Sequence, residues 1–74
     1  MLPKVSPLKS RDLINKLRAL GFEGPFADGR HSRMVHFETG QVIPIPIHSK
    51  EVSVGLIREI IRQVGITLEQ WLEL

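Results

Sequence analysis

A chain of 74 residues, 42% apolar and with a formal net charge of +2, describes one small domain (residues 1–74) with a packed core, not a disordered polymer. It has no cysteine, which excludes disulfides and thiolate zinc sites as staples. No apolar run approaches the roughly 20 residues that span a bilayer, and Met1 to Pro7 lacks a signal peptide's apolar stretch. A cytoplasmic protein with no membrane segment is the expectation.

The charge is unevenly spread. Up to His36 the chain carries Lys4, Lys9, Arg11, Lys16, Arg18, Arg30 and Arg33 against Asp12, Glu23 and Asp28. The remainder has more acids than bases. A basic half attracts polyanions by a term independent of sequence.

Ser6-Pro7 or Ser10 is suited to open a first helix. Leu13, Ile14, Leu17 and Leu20 form its apolar stripe, and Gly21 falls where a left-handed cap would end it. A short first strand is predicted over Phe22 to Phe26, then a turn at Asp28-Gly29. His31 to Phe37 reads as the second strand and Glu38-Thr39-Gly40 as a tight turn. In the third strand, Gln41 to Ile47, the residues Ile43, Ile45 and Ile47 share one face. Pro44 and Pro46 have the other parity and cannot donate to a ladder, so this strand belongs at a sheet edge.

Ser53 is placed to cap a second helix whose apolar stripe is Leu56, Ile57, Ile60, Ile61 and Val64, with Gly65 as its end. Thr67-Leu68-Glu69-Gln70 has capping-box spacing, and predicts a short final helix carrying Leu68, Trp71 and Leu72. The expected fold class is α+β, in the order α-β-β-β-α, with two helices on one face of a three-stranded antiparallel sheet.

Three histidines, His31, His36 and His48, are the side chains whose ordinary titration range falls near neutral pH. Their spacing matches no zinc pattern, and no Gly-rich phosphate loop or nucleophilic serine motif is present. His31 follows a glycine turn and stands between Arg30 and Arg33. Such a group can take a proton from an RNA 2′-hydroxyl or give one to a leaving oxygen, while the arginines hold the phosphate. It can equally be a surface histidine beside a turn. His48 is expected to be structural, His36 solvent-facing or half-buried in mid-strand, and Trp71 a core residue. Phe22 and Phe26 lie too close to chain breakers to form an aromatic RNA-stacking surface.

Taken together, Leu17-Arg18-Ala19-Leu20-Gly21-Phe22, Gly29-Arg30-His31, Ile43-Pro44-Ile45-Pro46-Ile47-His48 and Gly55 to Ile66 give the chain a family likeness. In order and spacing it resembles the HicA family, small RNA-cleaving toxins of bacterial and archaeal type II toxin–antitoxin systems. The resemblance implies a fold similar to the double-stranded-RNA-binding domain and a metal-independent endoribonuclease acting on mRNA, with no cofactor. It further implies a HicB-type antitoxin partner. The family's histidine, set in a Gly-Ser-His turn, corresponds to His31, and Arg30 stands where the serine is usual. On this reading Arg30, Arg33, Lys9 and Lys16 contact RNA. The competing readings are a non-catalytic RNA-binding module of the same fold, or a domain whose basic half meets an acidic protein.

Overall fold

In a computed structural model the described residues are 4–28, 31–46 and 50–74. The elements are α1 (Ser10–Ala19), β1 (Glu23–Asp28), β2 (His31–His36), β3 (Gln41–Ile45), α2 (Val54–Val64) and α3 (Leu68–Leu72). The strands form one antiparallel sheet in the order β1-β2-β3. The α+β order α-β-β-β-α is therefore observed, and the proline-bearing strand is at an edge. Ile47 and His48, expected to end that strand, lie outside the described residues.

Helix α1 begins at Ser10, not at Ser6-Pro7. The segment before it is extended, and Leu8 and Val52 exchange backbone hydrogen bonds in an isolated bridge. That pairing fixes the arm against the approach to α2 and puts Val5 in the core at 4% exposure. Ser10 does not cap the helix. It is the first helical residue, and its Oγ donates to the Pro46 carbonyl at 3.2 Å.

The end of α1 follows its sequence signal closely. Gly21, at φ +97°, donates its N–H to the Arg18 carbonyl, and Phe22 donates to that of Leu17. These two bonds are the Schellman pattern, which satisfies carbonyls left open by the last turn. Phe22 is thereby turned into the core, 3% exposed. This is why β1 starts at Glu23 and not at Phe22. The register of β1 slips between Glu23 and Phe26, around Gly24 at φ +121°. A Cβ on Gly24 would stand 2.9 Å from the Arg33 carbonyl and 3.0 Å from the Phe26 nitrogen. The bulge therefore needs glycine.

Helix α2 is capped as expected: the Ser53 Oγ accepts from the Leu56 N–H and Gly65 adopts the left-handed cap. The capping box of α3 is present in both halves, with Thr67 N–H donating to Gln70 Oε1 and Gln70 N–H donating to Thr67 Oγ1. Leu13 and Leu17 of α1, Met34 of β2, Ile43 and Ile45 of β3, Ile57 and Ile60 of α2, and Trp71 of α3 share one core. Leu72, beside the buried Trp71, is 45% exposed. Among the described residues no helix is long and apolar enough to cross a membrane.

Candidate functional site

His31 is the first residue of the central strand, paired with Asp28 across the β1–β2 hairpin, and it is exposed. Along β2 exposure alternates: His31 and Arg33 face outward, whereas Ser32 and Met34 are buried on the helix side. Directly opposed residues share a face. Arg33 is opposed by Phe26 on one side and Pro44 on the other, so these three make a row across the sheet's outer face beside His31.

The start of α1 lies at the same end of the sheet. Ser32 pairs with Ile45, the chain passes on to Pro46, and Pro46 accepts the Ser10 hydroxyl. Lys9, exposed at the N-cap of α1, is thus brought to the His31 end. Arg30 and His48 lie outside the described residues. Among those described, no group of three histidine or acidic side chains is set to hold a metal ion.

Lys16 sits seven residues further along α1, roughly 10 Å beyond Lys9. Its Nζ donates to the carbonyls of Trp71 at 3.0 Å and Leu74 at 3.2 Å, and lies 5.4 Å from the centre of the Trp71 ring. Two of its three donors are committed to the C-terminal helix, which leaves one for a phosphate oxygen. The sequence gives no sign of this tie, because its partners are backbone carbonyls more than fifty residues away.

His36 belongs to a different place. It has the inward parity and is five residues from His31, roughly 16 Å along the strand. Its ring meets Phe22 edge to face, with centroids 5.2 Å apart. Its Nδ1 is buried without a hydrogen-bond partner among the described residues. Gly21 packs so close that a Cβ there would stand 2.9 Å from His36 Nε2. An open pocket of about 410 Å³ adjoins it, lined by Ala19, Leu20, Gly21, Glu23, Phe37 and Glu38. His36 is thus half-buried against the end of α1, and not a companion to His31.

Charge on the outer face of α2 is locally paired. The Arg62 guanidinium, hydrogen-bonded to the Glu59 carboxylate, holds Glu59 below the ordinary carboxylate range, and Gln63 adds a second bond. This pair fixes helix surface and takes no part in the His31 end.

Beyond the expected site residues, two aromatic side chains are exposed on the outer face. Phe22 is core, but Phe26 is 39% exposed and Phe37 is 64% exposed. Their rings meet edge to face, 6.1 Å between centroids. The available signal was parity, since Phe37 continues the series His31, Arg33, Val35.

An exposed histidine heading the central strand, a basic helix start beside it and the α-β-β-β-α order define a small domain of the double-stranded-RNA-binding fold type. The model of the family described as HicA toxin of bacterial toxin-antitoxin matches residues 10–66. The chain belongs to the HicA toxin family, and so to a toxin–antitoxin system with an antitoxin as partner. No curated protein matches the chain.

Proposed function

We propose that the chain, as a single HicA-like domain, is an endoribonuclease that cuts mRNA without a metal ion, with His31 as general acid/base. The observation that carries this reading is the exposed His31 at the head of β2, on one face with Arg33, in a chain of the HicA toxin family. In the reaction the 2′-hydroxyl oxygen attacks the adjacent phosphorus and the bond to the 5′-oxygen breaks. One strand then ends in a 2′,3′-cyclic phosphate and the other in a 5′-hydroxyl. His31 moves a proton at one of these two oxygens. Arg30, Arg33 and Lys9 neutralise the phosphate as charge builds on it, and Lys16 offers its remaining donor farther along the strand. The nucleophile belongs to the RNA, so no metal-bound water is needed.

A HicB-type antitoxin is the expected partner, and the site to block is the His31 end of the sheet. Incubation of the purified chain with end-labelled RNA in chelator tests the proposal. Cleavage leaving cyclic phosphate ends is the expected result. Salt-sensitive binding with intact RNA would show a non-catalytic RNA-binding module instead.

A further inference from the structure

The outer face of the sheet carries side chains that the cleavage chemistry does not use. Phe26 stands directly opposite Arg33, and the Phe26 ring meets that of Phe37. Edge-to-face packing leaves at least one face of each ring outside the pair. Pro44 completes the row on the far side of Arg33, and Val42 extends the apolar surface at 47% exposure. Nothing in the core needs these rings. The core is closed on the other face by Met34, Ile43 and the helices.

We propose that this face is a stacking platform for the bases of single-stranded RNA, which leads the strand to His31. The inference rests on the reading of the chain as an RNA-handling protein and names the form of RNA it takes. Two arguments choose the occupant. The first is charge: a guanidinium lies in the same row as an aromatic ring, which pairs a phosphate contact with a base contact. The second is continuity. Arg33 is two residues from His31 on the same face, roughly 7 Å along the strand. Phe26 is level with Arg33, and Phe37, the first residue past β2, lies further toward the β2–β3 hairpin, a path long enough for a few nucleotides. Aromatic side chains on an open antiparallel sheet are suited to splayed bases of a single strand, whereas duplex RNA presents mostly phosphates and 2′-hydroxyls.

The test measures the affinity of the full chain for a 2′-O-methyl single-stranded oligonucleotide of about twelve nucleotides, which fits a single-strand site and resists attack by its own 2′-oxygen. An abasic strand of the same length is the control. Phe37→Ala and Phe26→Ala should each weaken binding roughly tenfold. Phe37→Leu, which keeps apolar area but has no π face, should weaken it as much as Phe37→Ala. The abasic strand should bind weakly and be insensitive to all three. Phe37 is largely exposed, so its variants should keep the wild-type melting midpoint.

Unchanged affinity in the folded Phe37 variants, or full retention by Phe37→Leu, would overturn the platform. So would a self-association that Phe37→Ala dissolves with RNA affinity intact, which would make the face a contact between copies. The two readings separate cleanly. Ring-dependent binding without cleavage of ordinary RNA retires the nuclease and keeps the platform, and cleavage indifferent to both rings does the reverse.

Discussion

His31 and His36 stand at opposite ends and on opposite faces of strand β2, one exposed beside the β1–β2 turn and the other packed on Phe22 at the end of α1. A strand turns successive side chains to alternate faces, so five residues separate the two in direction as well as distance. In the proposed cleavage reaction, His36 is therefore out of reach as a proton-transfer companion to His31.

It follows that His36→Phe should leave RNA cleavage within about threefold of wild type, well short of the hundredfold or more that general acid–base groups supply. The substitution also removes a buried nitrogen that has no partner among the described residues. Its thermal midpoint should hold or rise, since an unmet buried polar atom costs about 1–3 kcal/mol. A cleavage time course and a melting curve check both halves.

Gly24→Ala should destabilise the domain by about 1–3 kcal/mol, because the backbone there is in a region alanine rarely adopts and the new Cβ meets the Arg33 carbonyl. Arg18 donates twice to the Gly24 carbonyl, which holds the bulge in place and limits relaxation. Urea unfolding should show a lower midpoint with little change in slope.

Lys16 and Arg33 should behave differently in salt. Arg33→Ala is expected to reduce the slope of log affinity for RNA against log salt by about one, the signature of a lost phosphate contact. Lys16→Met should change that slope less and lower the thermal midpoint, as it releases Trp71 and Leu74. Binding titrations over a range of salt, with melts of both variants, make the comparison.

Thr67→Ala removes one half of the α3 capping box. It should cost about 1 kcal/mol. Because α3 carries Trp71 into the core, the loss should appear in global unfolding and not as fraying of a tail. Tryptophan fluorescence and far-ultraviolet circular dichroism should report one shared transition.

Features set by local chemistry were legible in the chain. The glycine caps at Gly21 and Gly65, the Thr67 box and the inward alternation of Ile43 and Ile45 in β3 each depend on neighbours within a few residues, and each is found where the pattern puts it. Features set by remote partners were not. The Leu8–Val52 bridge pairs the arm before α1 with the approach to α2, leaving Ser10 of the two candidate openings as the start of the helix, and the Lys16 tie to Trp71 joins distant parts of the sequence. The shift of β1 is intermediate in kind. The Schellman cap that predicted the helix end also turns Phe22 inward, a consequence readable only once Leu17 is known to be core.

The candidate site divides along the same line. Strand parity alone set His31 apart from His36 and aligned His31 with Arg33 and Phe37. That Phe26 faces Arg33 depends on the Gly24 bulge, which resets the register of β1 and has no reliable mark in the sequence.

The most direct measurement is the rate of RNA cleavage by His31→Ala beside wild type, in chelator and under single-turnover conditions, with matched melting curves. The expected rate is lower by at least about a hundredfold in a protein that is equally folded and still binds RNA. Undiminished cutting by the folded variant would contradict it.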